Sequence, residues 1–159
     1  MVDVPPKPAV RGGLISPILI GGLSAAVLDF VAACVVNRLP PITIGQAIAS
    51  GLLGRAAFQG GVGAAMLGAL AHTLILLVAA AAYVIAAKRW SLLTRRAPVT
   101  GPLYGVAVWM VMTWIVVPLS AASLRAPSAT DIAVQLAIHA GLVGLPIALA
   151  ARRFSAARP

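Results

Sequence analysis

Four long apolar stretches dominate the sequence and constrain what it can fold into. They cover about residues 13–36, 62–87, 102–124 and 132–151. Each is near or above the roughly 20 residues that an α-helix needs to cross about 30 Å of hydrocarbon. Because lipid offers the backbone no hydrogen-bond partner, a spanning segment has to be a helix or part of a closed barrel. The stretches lack a strict two-residue alternation of polarity, which favours helices.

The composition excludes the common soluble classes of protein. Hydrophobic residues make up 61% of the 159 residues, charged residues 9%, and mean hydropathy is +1.02. A soluble domain is about 45–50% apolar and about 25% charged. The single cysteine, Cys34, excludes an internal disulfide. We therefore predict an all-α integral membrane protein, in which one membrane domain over residues 1–159 forms a four-helix bundle.

The connection between the first two spans predicts a short additional helix. It covers about residues 42–59, which are fairly apolar but are interrupted by glycine and polar residues. Ile44, Ile48 and Leu52 recur every four residues, as on one face of a helix. Apolar helices shorter than a span are commonly re-entrant or interfacial. We expect such a helix on the external side, between spans 1 and 2.

The basic residues are distributed unevenly among the connections. Nine lie in the two tails and the second connection, and three lie in the first and third connections. The nine are Lys7, Arg11, Lys88, Arg89, Arg95, Arg96, Arg152, Arg153 and Arg158, and the three are Arg38, Arg55 and Arg125. The positive-inside rule then places both termini in the cytoplasm, with the spans in the inner membrane of a bacterium. Orientation accounts for the net charge of +9, so the expected partner is the lipid bilayer and not a nucleic acid.

Three ionisable residues, Asp29, His72 and His139, lie inside the predicted spans. Such groups are costly in lipid and are candidates for function. Counted along the helices, they lie about 12 to 15 Å from the external ends of their spans. All three are therefore predicted at a similar depth. Small residues surround Asp29 and precede His72, which indicates faces that pack against other helices.

Gln135, Asp131 and Arg55 extend this candidate site. The first two recur with His139 every four residues, at positions 131, 135 and 139, and form a polar stripe that descends from the outer surface. We include Gln135 in the intramembrane polar site and treat Asp131 as an external contributor that also suits a helix start. Arg55 is the nearest external cation that can meet Asp29, and it is the second external contributor.

Aromatic residues indicate two features of the spans. Four aromatic residues fall near the predicted cytoplasmic boundary, as an interfacial aromatic belt does: Tyr83, Trp90, Tyr104 and Phe154. Trp114 lies too deep for such a belt, so we expect it to face the core together with Thr113.

Several short motifs carry a family resemblance. They include Gln-Ala-Ile-Ala-Ser-Gly-Leu-Leu-Gly over 46–54, Tyr-Gly at 104–105 and Gly-Leu-Pro-Ile-Ala-Leu over 144–149. Over about residues 14 to 153 the chain resembles a family of small four-span bacterial inner-membrane proteins without an assigned activity. In topology alone it is similar to the YagU-type membrane proteins linked to acid resistance. The resemblance implies the four-span architecture and a bacterial source, and it implies no catalytic residue.

The polar residues leave several functions open. The first is a polar intramembrane pocket that handles protons or a small solute, because histidine exchanges protons near neutral pH. The second is a non-catalytic accessory subunit that packs against a membrane-protein partner, or against a second copy, through its small-residue faces. The third is a redox protein that binds a b-type haem or a quinone. In the haem form, two histidines on different helices hold the iron. A purely structural role for the three residues is the remaining interpretation.

The chain carries no motif that assigns an enzymatic reaction. It contains no Walker motif, no dinucleotide-binding glycine pattern, no H-E-x-x-H zinc motif and no C-x-x-C-H haem attachment site. The sequence therefore assigns no catalytic residue and no metal ligand, and any haem has to be bound without a covalent link.

Overall fold

The structure is a computed structural model that describes residues 13–123 and 127–155. Helix accounts for 87% of these residues, and the described part of the chain contains no strand. The prediction of an all-α protein is confirmed. Four of the basic residues used to orient the chain, at positions 7, 11, 125 and 158, lie outside the described residues.

Four helical segments are long and apolar enough to cross a membrane, as the four apolar stretches predict. The first two are α1 (Ile15–Asn37) and α3 (Gly61–Arg89). The third is α5 (Ala97–Val111), continued by a first π segment (Met112–Val116). The fourth consists of α6 (Ala129–Ile138), a second π segment (His139–Gly144) and α7 (Leu145–Ser155).

Two shorter elements connect these segments. Between α1 and α3 lie α2 (Pro41–Leu53) and a 3₁₀ turn (Gly54–Gln59), so the segment expected at about 42–59 is helical. Helix α2 packs along α3, and its far end meets the chain that follows the third segment, where the Ala121 N–H donates to the Gly51 carbonyl over 2.9 Å. The α3–α5 connection contains the single turn α4 (Leu92–Arg95).

The third long segment differs most from the stretch expected at about 102–124. It begins at Ala97, because Pro98 is tolerated in the first turn, where its missing N–H has no intrahelical partner. It ends at Val116, shortly before Pro118, whose ring and missing N–H are incompatible with a continued α-helix. The turn that follows is irregular and leads into the connection to the fourth long segment.

The long helices approach one another closely where glycine leaves room. Gly68 of α3 lies against the Gly45 carbonyl of α2, so closely that a Cβ at position 68 would overlap it. Gly105 of α5 lies in the same way against the His139 carbonyl in the second π segment. Helix α1 contacts both α3 and α7. Small residues allow this close backbone approach between membrane helices.

The aromatic belt expected at one boundary is wrong for its two tyrosines. Tyr83 is 1% exposed, and its hydroxyl donates to the Leu93 carbonyl over 2.9 Å and lies 2.8 Å from the Thr100 hydroxyl. The Tyr104 hydroxyl donates to the Ala79 carbonyl over 2.7 Å. The α4 connection packs against the helix ends and supplies the Leu93 carbonyl as an acceptor, which explains the inward orientation of Tyr83.

The expectation for Trp114 is also wrong. This side chain is 62% exposed, whereas Trp109 is 8% exposed. Gly101, Gly105 and Trp109 are spaced by four residues and share the buried face of α5. Trp114 follows Trp109 by five positions, which places it about 140° around the helix, on the outer face.

The close approach at Gly68 can be tested by substitution. Gly68→Ala is expected to lower the free energy of unfolding by about 1–3 kcal/mol, because the new Cβ overlaps the Gly45 carbonyl. Gly63→Ala, on the same helix, is the matched control, since a Cβ there meets nothing within 4 Å. The control is expected to be neutral or to stabilise by up to about 1 kcal/mol. Unfolding in mixed micelles with increasing dodecyl sulfate measures both, and equal effects would contradict the close packing.

Candidate functional site

Three long segments each contribute one ionisable side chain to a common site. Asp29 lies on α1, His72 lies on α3, and His139 is the first residue of the second π segment. The structure brings these residues together from sequence positions far apart. We refer to Asp29, His72 and His139 as the polar cluster.

The Asp29 carboxylate lies between the two imidazole rings. Its Oδ2 atom is 3.6 Å from His72 Nε2, and its Oδ1 atom is 4.0 Å from His139 Nδ1. In both pairs the histidine side chain is 13% exposed and the Asp29 side chain is 14% exposed. Each carboxylate oxygen therefore faces a different ring, in a site that is largely enclosed by protein.

Backbone carbonyls define which nitrogen of each ring carries a proton. His72 Nε2 lies 3.2 Å from the Ala26 carbonyl, and His139 Nδ1 lies 3.0 Å from the Gln135 carbonyl. A carbonyl oxygen only accepts hydrogen bonds, so these two nitrogens are the donors. The same two N–H groups face Asp29. When the rings are neutral, His72 Nδ1 and His139 Nε2 are left as the acceptor nitrogens.

Small residues hold the backbones close enough for these contacts. Gly22, Ala25 and Ala26 on α1 are buried, and they lie within two turns of Asp29. Gly22 packs against Leu77 of α3, so that α1 and α3 approach each other closely about two turns before Asp29. The Phe30 ring lies 6.0 Å from the His72 imidazole, centroid to centroid, and is tilted by 57° to it.

A π segment begins at His139 and widens the fourth long helical segment. Both π segments end two residues before a proline, at Val116 before Pro118 and at Gly144 before Pro146. A proline clashes with the carbonyl four residues earlier, and a widened turn relieves this clash. Pro146 is therefore the sequence signal from which the irregular helix at His139 can be recognised. Single π turns occur frequently at functional sites.

Gln135 and Asp131 have different positions from the cluster itself. The Gln135 side chain is half-buried one turn before His139, and its contribution to the site is the backbone carbonyl that accepts from His139. Asp131 is exposed and forms a capping box with Ser128, whose backbone N–H donates to Asp131 Oδ2 over 2.9 Å. This arrangement satisfies the start of α6.

Arg55 lies in a separate part of the molecule. It is exposed in the 3₁₀ turn and lines a cavity of about 360 Å³ together with Ser50, Gly54, Phe58 and Ser123. The two ion pairs found among residues 13–123 and 127–155 both join Asp29 to a histidine, and Arg55 takes part in neither. The interaction partners of Asp29 are thus the two histidines.

The cluster has the chemistry to hold a proton. The carboxylate oxygens accept hydrogen bonds, and each neutral imidazole offers one donor and one acceptor nitrogen. Within the described ranges, no group of three or more histidine, cysteine or acidic residues is arranged to hold a metal ion. No metal ligand is assigned.

No family model matches the chain, and no curated protein or solved structure shows significant similarity to it. The functional interpretation therefore depends on the geometry of the polar cluster.

Proposed function

We propose that the protein is a membrane protein whose polar cluster binds and releases protons. The observation that carries this proposal is the position of one carboxylate between two imidazoles, each from a different membrane-spanning candidate helix. Ionisable groups at such a position in a membrane protein are expensive and are commonly part of proton relays.

The geometry supports a site that holds one added proton at either of two rings. A proton that reaches His139 Nε2 or His72 Nδ1 converts that ring to an imidazolium. Asp29 faces both rings, so its single negative charge compensates the positive charge on either of them. It cannot compensate both at once, and the two histidines therefore compete for one proton. Because the two nitrogens near Asp29 already carry protons in the neutral rings, each ring gains and loses its added proton at its acceptor nitrogen, and the carboxylate stays an acceptor between them.

The proposed arrangement in the membrane follows from the contacts and the charges. The four long segments form a bundle around the cluster, and α2 is a re-entrant or interfacial helix on the external side. The protein lies in the bacterial inner membrane with both termini in the cytoplasm, because most of its basic residues flank that side. Membership of the family of small four-span bacterial inner-membrane proteins is part of this proposal.

Proton flux into liposomes tests the function. In vesicles with an internal pH dye and an imposed potential, Asp29→Asn is expected to reduce the flux by about tenfold or more, since the carboxylate no longer stabilises a protonated ring. Asp131→Asn is the matched control and is expected to retain the flux, because Asp131 caps α6 in an exposed position. An unchanged flux in Asp29→Asn, or no flux in the unmodified protein, would leave the cluster with a purely structural role.

Reporter fusions test the orientation. A fusion after Trp90 and one at the C-terminus are expected to be active in the cytoplasm, and a fusion near Arg125 is expected to be active outside. The reason is the excess of basic residues beside Trp90 and in the C-terminal tail. An external C-terminus would contradict the arrangement.

A further inference from the structure

Six basic side chains lie at one end of the structure, and all six are exposed. Two are in the last turn of α3, two in the α4 connection and two near the end of α7: Lys88, Arg89, Arg95, Arg96, Arg152 and Arg153. Helix α4 contacts α3, α5 and α7, so these residues belong to one surface. We refer to the six residues as the basic end.

The described residues place no acidic side chain at the basic end. They contain two acidic residues, of which Asp29 faces the histidines and Asp131 lies in the first turn of α6. Asp131 and Arg152 are near opposite ends of one helical segment, about 30 Å apart. The carbonyls at the helix ends of α3 and α7 attract cations, but they add no net negative charge. Among the described residues, the positive charge of the basic end is therefore not compensated by any acidic side chain.

Apolar side chains beside these cations indicate which kind of partner fits this surface. Trp90 is 66% exposed and Leu92 is 56% exposed, and both belong to the connection that carries Arg95. Leu93 of the same turn packs against the hydrophobic core, so α4 is held against the protein where α3 ends. Tryptophan is enriched at membrane–water interfaces, where phospholipid headgroups lie. A phospholipid offers both groups that this surface matches, since its phosphate is negatively charged and its acyl chains cover Trp90 and Leu92.

We propose that the basic end binds the headgroup of an anionic phospholipid through four arginines. Arg95 ends α4, Arg96 follows it, and Arg152 and Arg153 lie in α7. A guanidinium group matches phosphate oxygens with paired N–H donors, and an exposed basic residue near a membrane surface attracts anionic lipid. This inference does not depend on the proton-handling role of the polar cluster.

Native mass spectrometry of lipid binding tests the proposal. The whole protein in detergent receives equal amounts of phosphatidylglycerol and phosphatidylcholine, and the ratio of the two bound lipids is measured. We expect the unmodified protein to prefer phosphatidylglycerol by about tenfold or more, since each exposed basic residue contributes about fivefold. The combined variant Arg95→Gln, Arg96→Gln, Arg152→Gln and Arg153→Gln is expected to lose most of this preference. Because the protein is in detergent and not in a bilayer, the result does not depend on which side of a membrane the basic end faces.

Two controls separate headgroup binding from other effects. Arg38→Gln with Arg55→Gln removes two exposed cations far from the basic end and is expected to keep the preference. Replacing the same four arginines by lysine keeps the charge and is expected to retain a preference that decreases with added salt. Equal binding of both lipids to the unmodified protein would overturn the proposal. So would an equal loss in the glutamine variant and the Arg38/Arg55 control.

Discussion

Close approach of helix backbones is the constraint on which the rest of the structure depends. In a bilayer, lipid tails are as apolar as the side chains, so membrane helices associate through tight packing and internal hydrogen bonds. Here glycines at positions 68 and 105 lie directly against carbonyls of neighbouring helices. Among residues 13–123 and 127–155, the largest fully buried side chains are Tyr83, Ile147 and Val143, and most of the other buried apolar residues are alanines. A core of this kind holds polar side chains from different helices within reach of each other.

The polar cluster uses this proximity. Helix α1 packs between α3 and α7, and Asp29 therefore faces a histidine on each side. The backbone completes the site, because the Ala26 and Gln135 carbonyls orient the two imidazoles toward the carboxylate. The widened helix that begins at His139 ends two residues before Pro146, and the His139 backbone carbonyl lies against Gly105 of α5. The Asp29 carboxylate thus lies next to imidazole rings from two other helical segments.

The four long helices and the candidate residues could be predicted from sequence, because they depend on hydropathy and on counting residues along a helix. The similar depth of Asp29, His72 and His139 follows from the rise per residue alone. The neighbours of each helix could not be predicted in this way. The depth of Trp114 does not tell which face carries it, and the acceptor for Tyr83 is supplied by a connection whose fold the sequence pattern leaves open. The expected contact between Arg55 and Asp29 also depended on which elements are neighbours, and the structure pairs Asp29 with the two histidines.

The most direct test of the shared carboxylate is nitrogen-15 NMR of the two histidines in the protein reconstituted in lipid. The structure predicts that neutral His72 carries its proton on Nε2 and that neutral His139 carries its proton on Nδ1. It also predicts that Asp29→Asn shifts the ring resonances of both histidines, whereas Asp131→Asn shifts neither. If Asp29→Asn shifts only one ring or none, or if the protons lie on the opposite nitrogens, one carboxylate does not connect the two histidines.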